Sequence, residues 1–448
     1  MERLEKRNSF KILVTLAIPV ILEQILTTLL QYVDTAMVGR LGAAATASVS
    51  LTTTVNWLIG NVFAAIGIAF VAIISSAYGA GNKEKISRVS SQAIIYIVVL
   101  GMSVGILAVG LSPVIPIWMQ ADVEIRKQAS IYFAIISAPM VFRASSIICA
   151  SALRAVKDTK TPMVINLVAN VLNVILNYLL IYTVGLGVTG AAIATAASSV
   201  IAGGLLFIHM FRKPILNCHF KGLRFDKLVY KETIGIGLPA MATSTTSCLG
   251  HVVFASLVSS MGTTVFAAHS IALSAETIFY LPGYGLRSAT STLIGISVGE
   301  NDKDKFRVVE RQSVFLTIGM MTFTGLMLFL FAEPIMAIFT PDAEVIRQGT
   351  RVLKLIATSE PLFGLMIVSE GIYYGLGKTK ITFIVETIGS WGIRILFTVI
   401  CVKILHTTLF EVWICMFADN AFRALAMAIP LFSGRDVKYF ESRRKGML

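Results

Sequence analysis

The stretch SVSLTTTVNWLIGNVFAAIGIAFVAIISSA, residues 48–77, contains no Asp, Glu, Lys or Arg. A bilayer core about 30 Å thick takes about 20 residues of helix at about 1.5 Å per residue, so this run is long enough to cross a membrane. Barrel strands would read as alternating segments of about 10 residues, and the run does not alternate. It predicts a spanning helix.

Similar runs bounded by charged or Gly/Pro-rich breaks lie at roughly 10–36, 93–112, 130–152, 163–184 and 188–211, and again at roughly 234–260, 268–298, 313–332, 351–375, 381–403 and 409–431. Of the 448 residues 56% are hydrophobic and only 14% charged, which excludes a soluble enzyme, a disordered chain and a small disulfide scaffold. The predicted fold is an all-α integral membrane protein with twelve transmembrane helices in two six-helix bundles. The boundaries are 1–211 for the N-terminal lobe, 212–233 for a basic linker (Arg212, Lys213, Lys221, Arg224, Lys227, Lys231), and 234–448 for the C-terminal lobe with its basic tail.

A shift of 220 residues carries Pro19 onto Pro239, Gly42 onto Gly262, Gly79 onto Gly299, Lys83 onto Lys303 and Gln92 onto Gln312 without a gap. Farther on it carries Asp122, Glu124 and Gln128 onto Asp342, Glu344 and Gln348, while Pro139 and Pro361 miss it by two residues. Each half holds an even number of spans, so the halves enter the membrane the same way. They are expected to be parallel repeats related by a pseudo-two-fold axis.

The net charge of +13 follows the membrane, not a nucleic acid. About 27 Lys and Arg fall in the two tails and the loops after even-numbered spans, against about 6 in the other loops, which predicts a plasma-membrane (cytoplasmic-membrane) protein with both termini cytoplasmic. The basic residues are dispersed and lack interleaved aromatics, so no nucleic-acid partner is expected. The charged N-terminus precedes an apolar run longer than a signal-peptide core, and is read as leading into a retained first span. Five scattered cysteines, none in a C-x-x-C pair, suggest neither disulfides nor zinc, and the five histidines show no metal-ligand spacing.

Two nucleotide-binding patterns are set aside. Gly185-Leu186-Gly187-Val188-Thr189-Gly190 satisfies G-x-G-x-x-G but joins two spans, where tight-turn glycine is the expected role; Gly375-Leu376-Gly377-Lys378-Thr379 lacks the first glycine of a P-loop, which is Ile372 here. No enzyme, cofactor or ATPase is implied, and energy must come from an ion gradient.

Polar residues inside the spans are the functional candidates, because they are costly in lipid and face a cavity or a partner. In the first span Glu23, Thr27, Gln31 and Asp34 share one helix face, at steps of 4, 4 and 3; in the fifth, Asn166, Asn170, Asn173 and Asn177 do the same at steps of 4, 3 and 4. Amides can coordinate a cation or bond a substrate without the cost of a buried charge. Packing between neighbouring helices is the alternative for both stripes. The shift carries Asn56 onto Glu276 and Asn166 onto Glu386, so the halves differ chemically. Glu276, Tyr280 and Tyr284 form a face suited to an organic cation, or else Glu276 pairs with Arg287. Glu360, Glu370, Arg143, Arg394, Arg423 and Asp419 can pair across spans, in combinations the sequence does not specify.

These residues together resemble the bacterial-type multidrug and toxic-compound extrusion (MATE) transporters over essentially the whole chain. The matching segments are Pro19 through Val33-Asp34-Thr35 to Val38-Gly39-Arg40-Leu41-Gly42, then Tyr78-Gly79-Ala80-Gly81, Lys157-Asp158-Thr159-Lys160-Thr161-Pro162, Gly187-Val188-Thr189-Gly190-Ala191-Ala192, Ala275-Glu276 and Pro282-Gly283-Tyr284-Gly285. The resemblance implies a two-lobed antiporter that expels amphipathic, often cationic compounds in exchange for inward H⁺ or Na⁺, working as a monomer in contact with membrane lipid. It implies ion coupling at Asp34, with Asn173 and Asn177 where relatives carry further polar ligands; Asn177 stands where some have an aspartate. Glu23, Gln31, Asn166, Asn170, Glu276, Tyr280 and Tyr284 are the substrate-cavity candidates. Acids used by some branches in spans 7 and 10 are replaced by about Ser247 and Phe363, so a C-lobe sodium site is not expected. A lipid-linked precursor flippase of the same superfamily architecture is the alternative function, and a passive channel the rival from another class.

Overall fold

The computed structural model describes residues 2–219 and 225–445, so Lys221 and Arg224 of the basic linker lie outside the described residues. Twelve spans follow in order: α1 (Glu2–Gly39), α2 (Ala43–Gly79), α3 (Lys83–Leu111), α4 (Val123–Ser137 and Met140–Ala155), α5 (Lys160–Thr183), α6 (Gly187–Arg212), α7 (Lys227–Ser259), α8 (Thr263–Glu300), α9 (Lys303–Phe339), α10 (Ala343–Ala357 and Glu360–Gly375), α11 (Thr379–Ile404) and α12 (Leu409–Arg435). A short α13 (Asp436–Lys445) closes the chain.

Several helices exceed the predicted apolar runs; α1 and α8 have 38 residues each, about 57 Å of helix. Backbone hydrogen bonding does not stop where the hydrocarbon does, so the helices continue into polar flanks until a cap ends them. The first turn of α3 is capped by Asn82, which accepts from Lys85 N at 2.9 Å, and that of α9 by Asp302, which accepts from Lys305 N at 2.9 Å. Helices α4 and α10 bend by 50° and 53°. Pro139 and Pro361 sit at these breaks, where a ring without an N–H is tolerated only at the start of the second segment.

The duplication is visible in the backbone as well as in the residues. Left-handed conformations recur at the same 220-residue shift, at Gly42 (φ 105°) and Gly262 (φ 119°), Gly81 (φ 65°) and Asn301 (φ 58°), and Lys157 (φ 66°) and Gly377 (φ 68°). The wide π turn ending α5 at Leu179–Thr183 recurs one residue off that shift at Ile400–Ile404 in α11. A second π segment, Ile388–Ile395, has no counterpart in α5. The glycines of the G-x-G-x-x-G decoy make a turn: Gly185 and Gly187 have positive φ, and a Cβ on Gly190 would lie 2.7 Å from Leu180 O.

The chain divides into two compact units, Leu22–Gly235 and Met1–Ile21 with Ile236–Leu448. In the first, α4 is held against α2, α3 and α6 at glycines. The tightest approach is at Gly203 of α6, where a Cβ would stand 2.1 Å from Phe142 O. Gly203→Ala is therefore expected to cost about 1–3 kcal/mol through overpacking, seen as a lower thermal unfolding midpoint in detergent. Gly204→Ala, which has nothing within 4 Å of its Cβ, is the control and should not lower the midpoint.

The linker lies folded along the end of α3 in the first unit. Ser87 Oγ donates to Asn217 O (2.8 Å), His219 N to Ser91 Oγ (3.2 Å) and Asp226 N to Gln92 Oε1 (3.3 Å), while Lys213 pairs with Asp158 at 2.5 Å. The hydrogen bond from Arg88 holds the Asp226 carboxyl below its ordinary range. In the second unit α13 docks in a comparable way, with Phe440 buried against Phe306 and Lys378 Nζ donating to Ser442 Oγ at 2.9 Å.

Candidate functional site

The two polar stripes predicted on α1 and α5 meet each other. Asn166 Nδ2 donates to Glu23 Oε1 at 2.6 Å, Asn170 Nδ2 to Thr27 Oγ1 at 3.0 Å and Asn177 Nδ2 to Asp34 Oδ1 at 2.5 Å, each pair separated by 143 residues. A constant offset means that the helices run parallel and in register, so equal helical spacing on both sides forms a ladder of amide donors on hydroxyl and carboxylate acceptors. Tyr182, in the π turn of α5, donates to Met37 O at 2.7 Å and ties the end of the ladder.

At the Asp34 rung the acceptor is a carboxylate met by two amides. Turned so that its oxygen accepts from Thr195 N at 3.2 Å, Asn173 donates to both Asp34 oxygens, at 2.9 and 2.6 Å. Asn173 and Asn177 are buried, and Asn177 Oδ1 has no hydrogen-bond donor. An orphan acceptor carbonyl beside a carboxylate is a place where a proton or a small cation gains more than water would. The Asp34 carboxylate, Asn177 Oδ1, the Asn173 amide and Thr195 are the groups able to hold one. Among the described residues no cluster of three or more His, Cys, Asp or Glu has metal-binding geometry.

The other rungs differ. Glu23 is buried and its two oxygens also accept from Arg154 of α4, both at 2.8 Å, so its charge is already compensated within the protein. Gln31, on the same predicted stripe, is exposed, and its side chain bonds no described residue.

In the second unit the predicted face of α8 is partly occupied by the protein's own cation. Arg287 pairs with Glu370 of α10 at 2.7 Å, not with Glu276, and lies 4.6 Å from the Tyr284 ring centroid. Tyr280 packs edge-on to Tyr284 and against Phe363, at 5.7 and 5.5 Å between centroids. Glu276 is buried and makes no hydrogen bond or ion pair with a described residue. Glu386, Arg394, Asp419 and Arg423 form one buried network, which the buried Glu360 does not join: Arg423 Nη1 donates to Glu386 Oε2 at 2.6 Å and Nη2 to Asp419 Oδ2 at 2.7 Å, and Arg394 Nε lies 2.9 Å from Asp419 Oδ2. Gly389, in the second π segment, leaves room for it, since a Cβ there would stand 2.4 Å from Asp419 Oδ1.

Sequence reasoning missed Thr195, one of four hydroxyl residues in an Ala-rich span that also carries Thr189, Ser198 and Ser199, and the Arg154–Glu23 pair. The latter had one signal: Glu23 is an acid deep in a span, which requires a counter-charge.

Known proteins resemble the chain over nearly its full length. It is 29% identical to a probable multidrug resistance protein NorM of Thermotoga maritima over 435 residues, 95% of this chain and 92% of that protein. It is 27% identical to the multidrug resistance protein MdtK of Edwardsiella ictaluri, over 85% and 84% of the two chains. Among solved structures, a multidrug resistance MATE family transporter of the MOP superfamily in an outward-facing conformation superposes with a TM-score of 0.90 at 21% identity, covering 98% of this chain and 97% of that one. The MatE family model matches residues 19–179 and 239–400, two segments whose starts are themselves one repeat apart, one in each half. With both halves matched and the twelve spans in place, the chain belongs to the MatE family, the MATE transporters of the membrane.

Proposed function

We propose that the protein is a multidrug efflux antiporter that exports amphipathic, often cationic compounds in exchange for inward H⁺ or Na⁺, with both termini cytoplasmic. The observation that carries this reading is the Asp34 carboxylate, held by Asn173 and Asn177 next to an acceptor oxygen that has no donor. The names of the NorM and MdtK relatives support the cargo class.

In the proposed cycle, ion-free Asp34 is an anion and favours the state that accepts cargo. A proton or sodium ion neutralises it, adds the missing partner for Asn177 Oδ1, and shifts the population toward the state that releases cargo outside. A ligand shifts such an equilibrium only by its differential affinity for the two states, which is what a carboxylate with adjustable neighbours provides.

The test is dye accumulation in everted membrane vesicles with H⁺ and Na⁺ gradients imposed separately. Uphill accumulation driven by one of them is expected. Flux linear in the dye gradient with no uphill accumulation would mean a passive facilitator, and movement of labelled lipid-linked headgroups without dye transport would mean a flippase.

A further inference from the structure

One face of α4 carries Arg143, Ile147, Ser151 and Arg154, at helical steps of 4, 4 and 3. That face is turned into the first unit. A Cβ on Gly60 of α2 would meet Arg143 Nη2 at 3.1 Å, one on Gly67 would meet Ser151 Oγ at 2.5 Å, and Arg154 reaches Glu23 of α1. The two arginines are treated differently by their surroundings. Arg154 has its carboxylate, whereas Arg143 makes only two hydrogen bonds, from Nη1 to Asn56 Oδ1 and from Nη2 to Asn56 O, both 2.9 Å, and forms no ion pair with a described residue.

A guanidinium has five N–H donors and does not lose its charge. Inside a span it is retained only where something anionic or strongly polar meets it. Asn56 fixes its plane and uses two donors, leaving the others for a further acceptor. Arg143 is half-buried and not sealed, so that acceptor can come from outside the protein. The repeat sharpens the contrast: the images of Asn56 and Arg143 in the second half are Glu276 and Phe363, so the same two positions carry a cation without an ion pair to a described residue in one half and a carboxylate without one in the other.

We propose that Arg143, oriented by Asn56, is a specificity-determining residue that meets the anionic group of cargo bearing a carboxylate beside its cation. This rests on the efflux reading above and adds a residue to it.

Rhodamine B and its ethyl ester differ only in that carboxylate, and their ion-driven uptake into everted vesicles tests the assignment. With wild-type protein both dyes should accumulate. In Arg143→Gln the KM for rhodamine B should rise roughly tenfold or more, the scale of one lost charge-assisted hydrogen bond, while the ester changes by less than about twofold. Asn56→Asp keeps the packing but supplies the guanidinium with its own anion, and should produce the same selective loss even if Arg143→Gln fails to fold. Equal changes for both dyes, or an unchanged KM for rhodamine B in Asn56→Asp, would overturn the assignment. Wild-type uptake of the ester without rhodamine B would overturn it and leave the efflux reading standing. Uptake of neither dye would remove both.

Discussion

Asp34→Asn is expected to leave the protein folded and to reduce ion-driven efflux to the level of vesicles without it. The folding half of this expectation follows from the local hydrogen bonds. An asparagine at 34 keeps an oxygen to accept from Asn177 Nδ2, and its new amide can donate to Asn173 Oδ1 once the Asn173 side chain, which donates to both Asp34 oxygens in the wild type, turns its oxygen toward position 34. The net change in stability should stay within about 1 kcal/mol, the scale of a neutral hydrogen bond. The functional half follows from charge. An amide neither takes up a proton near neutral pH nor supplies the negative charge that holds a sodium ion, so ion concentration no longer biases the two states. Reversing a 1:99 population takes a differential of about 5.5 kcal/mol, and removing the titrating or ligating charge removes its source. Expression and thermal midpoint should match wild type while uphill dye transport is lost under both H⁺ and Na⁺ gradients. Unchanged transport would take Asp34 out of the mechanism.

Arg423→Met is expected to be among the most destabilising single substitutions in the second unit. Arg423 is buried and donates to both Glu386 and Asp419. Without it two buried carboxylates face Arg394 alone, and breaking a buried pair from one side costs about 3–5 kcal/mol because an uncompensated charge stays behind. Adding Glu386→Gln to the same chain restores charge balance, leaving Asp419 with Arg394 at 2.9 Å, and should recover a large part of the loss. Thermal unfolding of the single and double variants in detergent measures both effects. If the double variant is no more stable than Arg423→Met, the network acts by shape and hydrogen bonding and charge balance is not its basis.

The two substitutions probe different kinds of polar residue within the spans. Some have a counter-charge within the protein, as Glu23 has Arg154 and Glu370 has Arg287. Asp34, Arg143 and Glu276 form no ion pair with a described residue.

By itself the sequence determined the number of spans, the duplication at a shift of 220, the tight-turn glycines between Gly185 and Gly190, and the two polar faces on α1 and α5. Each of these depends on local rules: hydrocarbon thickness sets a run length, helical geometry turns steps of 3 and 4 into one face, and a positive φ selects glycine. Only the tertiary structure decided which face met which. The 143-residue register that seats Asp34 on Asn177, the claim of Arg154 on Glu23, the preference of Arg287 for Glu370 over Glu276, and the isolation of Arg143 all depend on the axial offset and rotation between packed helices. Those quantities come from close packing at distant glycines such as Gly60 and Gly203, and no periodicity within a single helix encodes them.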